Sequence, residues 1–388
     1  MNSSLIRIAA VSAGLMLSLA APVPAAAQAA PPIRIGAVLS TTGPVGFIGD
    51  PQLKVLELYV KRINEQGGLI GRKLELVAYD DQSDPNNANT FAKRLIDSDK
   101  VDMMIGGTIS PTALAMAPHA ERAGLPYIST GGSAALVEPV KKWVFKTPPT
   151  DRLVAERILQ DMKDKGIARI GLLSETSGFG QSGRKEVQGS AQKYGITVAA
   201  DESYGAKDTD VTPQLTKIRS TPGLQAVLVF SGAGPAPAMA LRNYTQLGMK
   251  LPVWMPHAAV NQELIKLAGS AAEGARMPTA AFVVVDALPD SDSSKAVGKA
   301  FYQTYKDVYK TDASPFGANT YDALMIAVDA IKRAGSTDKA KVRDAIEHTQ
   351  GLIGLNGTFR MSADDHNGLK MDSLRMVEVR DGRFTVGK

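Results

Sequence analysis

Two short loops carry the residues best suited to hold an anion. Ser110-Pro111-Thr112 follows the short strand-like stretch from Val101 to Ile105, and Gly131-Gly132-Ser133 follows the one from Pro126 to Ser129. Each loop lies between a predicted short strand and a predicted helix. Ser and Thr in that place are N-cap residues, and the first N–H groups of a helix have no partner inside it. Those amides, together with the helix dipole, suit a carboxylate. Two such loops in one half of the chain can share one carboxylate, and hydrogen bonds to charge contribute about 1.5–3 kcal/mol each. The competing reading, that the hydroxyls only cap their helices, rests on capping preference alone.

Other chemistry finds little support. Gly178-Phe179-Gly180-Gln181-Ser182-Gly183 has the G-x-G-x-x-G spacing of a dinucleotide fingerprint, with Asp201 downstream. In that fingerprint the glycines follow the strand directly, whereas here Ser174 to Ser177 intervene. The expected role is a flexible loop, with Phe179 either reaching into a cleft or packing in a core. The chain has no Cys, no G-x-S-x-G elbow and no H-E-x-x-H, and its four histidines, His119, His257, His348 and His366, lie in separate stretches. Asp80, Asp81 and Asp84 lack the glycine and distal Glu of a calcium loop and read as a turn and a cap. No catalytic residue, metal or cofactor is therefore expected.

The elements that must position these loops alternate between strand and helix. Ile33 to Leu39 reads as a buried strand, Lys54 to Gln66 as a helix, Lys73 to Tyr79 as a strand and Asn86 to Asp97 as a helix. The pattern repeats from Ala168 to Met255, and Leu125-Pro126 and Leu251-Pro252 open corresponding strands 126 positions apart. Two copies of one α/β unit follow, each a doubly wound, Rossmann-like parallel sheet with helices on both faces. Two such sheets facing each other leave a cleft at the C-terminal ends of their strands, where ligands bind. Helical patterns from Lys295 to Gly335 and from Asp338 to Thr349, the latter with Thr337 as its cap, must dock on one lobe or the other. Chain crossings are expected near Lys146-Thr147-Pro148, Met277-Pro278 and Phe359. One lobe is then 31–147 plus 279–358, and the other 148–278 plus 359–388.

The first 27 residues read as a secretion signal. Arg7 precedes an apolar run to Ala21, Pro22 and Pro24 close it, and small residues follow. The run is short for a bilayer span of about 20 residues. The expected location is the periplasm. The formal charge is +5, and removing Arg7 with the leader leaves +4 (5 − 1). Opposite charges alternate along the chain and no basic stripe with stacking aromatics appears, so no nucleic-acid partner is expected.

Several stretches resemble the leucine/isoleucine/valine-binding family of periplasmic receptors. Asn64-Glu65-Gln66-Gly67-Gly68-Leu69-Ile70-Gly71-Arg72-Lys73-Leu74 with Asp80-Asp81 and Asp84-Pro85, Thr42-Gly43-Pro44, Ile105-Gly106-Gly107, Ile128-Ser129-Thr130-Gly131-Gly132-Ser133, Phe179-Gly180 and Asn319-Thr320-Tyr321-Asp322-Ala323 carry the likeness across nearly the whole chain. The resemblance implies a Venus-flytrap receptor with a three-crossing hinge, monomeric, delivering a small carboxylate to a permease and ATPase complex of an ABC importer. It implies that Ser110, Gly131 and Ser133 hold the carboxylate, with Thr112 and Gly132 on the same loops. Phe47, on the opening loop, either lines the cleft or packs locally. An acidic residue that pairs with a ligand ammonium in amino-acid-binding relatives is matched by His257, and a nearby aromatic by Ala233. The 126-residue offset also carries Gly131 onto His257. A ligand without an α-amino group, such as an aromatic acid, is favoured over leucine, isoleucine or valine. The alternatives are a sensing receptor of the same fold and an exported enzyme.

Overall fold

A computed structural model describes residues 30–205 and 207–387; the expected secretion signal lies outside the described residues. The first unit alternates β1 (Ile33–Leu39), α1 (Gly46–Glu65), β2 (Leu74–Asp80), α2 (Pro85–Asp97), β3 (Met103–Gly106), α3 (Ser110–Ala123), β4 (Tyr127–Ser129) and β5 (Val144–Lys146). Its five strands are parallel in the order β2-β1-β3-β4-β5. Ile33, Ile35, Ala37, Val38 and Leu39 are all buried, as expected of an inner strand covered on both faces.

The second unit repeats the scheme with α4 (Asp151–Asp164), β6 (Arg169–Glu175), α5 (Gly178–Ser190), β7 (Thr197–Tyr204), α6 (Thr212–Ser220), β8 (Ala226–Phe230), α7 (Pro235–Gln246), β9 (Val253–Trp254), α8 (Gln262–Ala268) and β10 (Arg276–Ala280). A third section supplies α9 (Ser293–Tyr309), α10 (Pro315–Ala334), α11 (Lys339–Glu347), the small hairpin β11 (Gln350–Ile353) and β12 (Thr358–Arg360), and finally β13 (Leu374–Arg380) and β14 (Arg383–Val386). The second sheet runs β14-β13-β10-β9-β8-β6-β7, with β13 and β14 antiparallel at one edge. The strand order β7-β6-β8-β9-β10 reproduces β2-β1-β3-β4-β5, so the 126-residue offset reflects duplicated topology.

Several expectations are corrected. Helix α1 begins at Gly46, eight residues before Lys54, and Phe47 sits on its first turn rather than on a loop. Pro51 lies inside α1, where it has no N–H to donate to the fourth residue before it. The Gly178–Gly183 motif is not a flexible loop but the start of α5, capped by Ser177, whose Oγ accepts the Gly180 N–H at 3.2 Å. Its glycines serve packing: a Cβ at Gly183 would stand 1.9 Å from the Phe230 ring and one at Gly180 2.1 Å from the Glu175 carbonyl oxygen. Asp338, not Thr337, caps α11, because its carboxylate accepts the Lys341 N–H at 3.0 Å, while Thr337 accepts from Arg72. Met277 and Pro278 lie inside β10, opposite Val377 and Met376, so the chain leaves this sheet only after Ala280.

Candidate functional site

The ends of β3, β4, β6, β8 and β9 open onto one cavity of about 300 Å³. From the first unit its wall includes Ile48, Thr108, Ser110, Pro111, Thr130 and Gly132; from the second, Glu175, Ser177, Phe179, Ala233 and His257; from α10, Phe316 and Asn319. Most of this surface is apolar, the usual composition of a small-molecule site with a few orienting polar groups. A larger hollow, about 640 Å³, lies between α1 and β2 beside Lys61, Glu65 and Lys73, and involves one sheet only.

The polar groups on the first wall are arranged to donate. Ser110 is buried, and its Oγ accepts the Ser133 N–H at 3.0 Å. Among the described residues its own hydroxyl proton has no acceptor, and neither has the Gly132 N–H. The Thr130 hydroxyl is buried at this wall without a partner. Unpaired buried polar groups are rare unless something else satisfies them. Gly132 has a steric reason to lack a side chain: a Cβ there would lie 2.8 Å from the Phe179 ring, which reaches across from α5.

The opposite wall carries one acid and one imidazole. Glu175, buried at the end of β6, accepts from the Ser231 hydroxyl at 2.7 Å and the Gly232 N–H at 2.9 Å, both through Oε2. Among the described residues Oε1 has no hydrogen-bond partner. His257 meets Phe179 edge to face at 5.8 Å, and its Nδ1 is buried without a partner. Burial, and then the charge of Lys146, hold the imidazole down to about 3, so it is neutral near pH 7. The walls touch: Ser133 and Ser182 hydroxyls are 3.1 Å apart, and Phe179 covers Gly132.

Of the residues expected from sequence, Ser110, Gly132, Phe179, Ala233 and His257 line the cavity. Thr112 does not. The cap of α3 is Ile109, in extended conformation, so Thr112 falls in the first turn and turns back to the Ile109 N–H and carbonyl. Gly131 is withdrawn against Ala113 and Leu136, and its N–H goes to Ser129 Oγ at 3.1 Å. Ser133 caps a three-residue 3-10 turn, Ala134–Leu136, too short to supply the helix dipole expected of this loop, and its hydroxyl faces Ser182. Phe47 does not line the cavity and lies edge-on to Phe316 at 6.2 Å. Sequence reasoning missed Glu175, and it held Thr130 and Asn319 only within longer family motifs, without a role of their own.

This architecture, with two duplicated sheets and one cavity at their strand ends, has clear relatives. Residues 32–383 match the family described as periplasmic binding protein. The chain belongs to that family. It is 28% identical over 328 residues to the leucine-, isoleucine-, valine-, threonine-, and alanine-binding protein of Pseudomonas aeruginosa, covering 82% of this chain and 83% of that one. An extracellular ligand-binding receptor from Rhodopseudomonas palustris HaA2 superposes with a TM-score of 0.85 at 30% identity, covering 92% of this chain and 99% of the other. A solute-binding protein of an ABC transporter from Rhodopseudomonas palustris BisB5, solved in complex with 3,4-dihydroxy benzoic acid, shares the fold with a TM-score of 0.76 at 21% identity, over 91% and 94% of the chains. The fold is thus the two-lobed type I periplasmic binding fold. The relatives are binding proteins, not enzymes.

Proposed function

We propose that this protein is the periplasmic substrate-binding component of an ABC importer and that its cleft holds a small carboxylate. One observation carries the reading: the Ser110 hydroxyl, the Thr130 hydroxyl and the Gly132 N–H line one wall of an apolar cavity with no acceptor among the described residues. An anion between the lobes satisfies all three. The hinge then runs through the segments joining β5 to α4, β10 to α9 and β12 to β13; the second crossing follows Ala280, and the third follows Phe359, which is buried in the first lobe's core with Met361 and Leu369 rather than marking the crossing itself.

One relative is named for binding leucine, isoleucine, valine, threonine and alanine, and a protein of the same fold was solved with an aromatic acid, so the cleft's own residues decide the class. A neutral His257 offers no fixed negative charge to an α-ammonium, and Ala233 leaves room for a ring. Both favour an amine-free acid. Glu175 accepts a donor at the far wall, which a phenolic hydroxyl fits. Glu175 also supports a second reading, an α-amino acid whose ammonium meets Oε1. Calorimetry on protein stripped of ligand, with leucine, isoleucine, valine, benzoate, 4-hydroxybenzoate and 2-oxo acids, separates them. Micromolar binding of 4-hydroxybenzoate without a response to leucine is expected; micromolar leucine with no response to any amine-free acid restores the amino-acid reading.

A further inference from the structure

Lys146, the last residue of β5, is fully buried and forms no ion pair within 4 Å among the described residues. Its Nζ donates instead to three carbonyl oxygens: Gly132 at 3.1 Å, Pro148 at 2.8 Å and Pro149 at 3.0 Å. A buried ammonium whose hydrogen bonds all go to carbonyl dipoles, with Asp151 and Glu138 acting on it only through space, is expensive. An anion bound at the Gly132 wall of the cleft would add to the pull of those two carboxylates.

The bond to Gly132 supplies the route. The Gly132–Ser133 peptide is trans, so its carbonyl and N–H point in opposite directions. The carbonyl receives the Lys146 proton, the Ser133 N–H donates to Ser110 Oγ, and the Ser110 proton is left for the cavity. Each bond in such a chain polarises the next. We propose that Lys146 is the counter-charge of the carboxylate subsite, acting through the Gly132–Ser133 peptide on the Ser110 hydroxyl, so that binding a carboxylate is coupled to keeping Lys146 protonated. Lys146 is a positioning residue: it touches no ligand.

The charged groups around Lys146 are Asp151 at the start of α4, Glu138 on the segment before β5, and His257 across the cleft; Glu175 faces the same cavity from β6. Burial lowers the ammonium to about 7, against the opposing pull of Asp151 and Glu138. A bound carboxylate stabilises the ammonium, so binding takes up a proton at and above that pH. Affinity therefore falls as pH rises.

The inference rests on the carboxylate reading, and its test separates the two. In ligand-free protein the His257 ring is titrated by NMR. Lys146→Met should move its midpoint upward, while Lys146→Arg should not; a midpoint unmoved by Lys146→Met overturns the proposal without reference to any ligand. Calorimetry with 4-hydroxybenzoate then reads the coupling. Wild type should bind with proton uptake, losing about tenfold or more in affinity from roughly pH 6 to pH 9, while Lys146→Met should bind about tenfold or more weakly with a flat profile. If none of leucine, isoleucine, valine, benzoate, 4-hydroxybenzoate and the 2-oxo acids binds wild type, the carboxylate reading has failed, and the His257 titration alone decides on Lys146. Should Lys146→Met not fold, wild-type calorimetry in two buffers of different ionisation heat decides: no proton uptake overturns the coupling.

Discussion

Ser110 does two things at once, and its removal separates them. Its Oγ accepts the Ser133 N–H and its proton is free for a ligand. Ser110→Ala should weaken carboxylate binding by about 1.5–3 kcal/mol, the range for hydrogen bonds to charge, and destabilise the ligand-free protein by about 1 kcal/mol through the orphaned Ser133 amide. Titration calorimetry and urea unfolding read the two separately; full affinity in the variant would place the carboxylate elsewhere. His257 makes a prediction about pH. Folding holds it near 3 against an ordinary 6.5, so between those values the unfolded chain binds more protons and stability falls as pH drops. His257→Gln should flatten that acid limb in melting temperatures taken across the window; parallel profiles would show that the imidazole is not held neutral. At this scale the sequence exposed hydroxyls beside strand ends but not which atoms face inward. Thr112 was displaced by a cap one position earlier than Ser110. Glu175 was hidden because an acid at a strand end reads as solvent-facing until the register of β6 against β8 brings Ser231 and Gly232 to it.

The elements were legible where hydrophobic period was strong and less so where glycine or proline interrupted it. Pro51 suppressed the first two turns of α1, and three glycines disguised the start of α5. The glycines of α5 have different jobs, which a pair of substitutions distinguishes. Gly183→Ala drives a Cβ to within 1.9 Å of the Phe230 ring, so α5 must lift from β8 at a cost of about 1–3 kcal/mol. Gly189, on the same helix, has nothing within 4 Å of its Cβ position, and Gly189→Ala should stabilise by about 0.5–1 kcal/mol by helix propensity. Urea unfolding of both variants checks this; equal effects would mean that α5 does not pack on Phe230 as described.

For the whole molecule, the repeat at 126 residues foretold two matching sheets, because a duplicated order of strands keeps its spacing even when side chains diverge. It did not foretell how the lobes meet, since interlobe contacts join residues far apart in both copies. Here the first lobe's Ser133 reaches the second lobe's Ser182 at 3.1 Å. The chain has no cysteine, so two introduced thiols have no competitors. In Ser133→Cys with Ser182→Cys, a disulfide needs sulfur atoms about 2.05 Å apart, a separation reachable only when the lobes are closed. A ligand that favours the closed form raises its population, and with it the rate of bond formation. Under mild oxidation the double variant should therefore cross-link faster with saturating ligand than without, read by non-reducing gel mobility, while each single variant stays monomeric and uncross-linked. The scattering profile of wild type should shrink in radius of gyration under the same ligand. Cross-linking at one rate with and without ligand, together with an unchanged profile, would mean that the lobes are already shut in the free protein and that binding does not move the hinge.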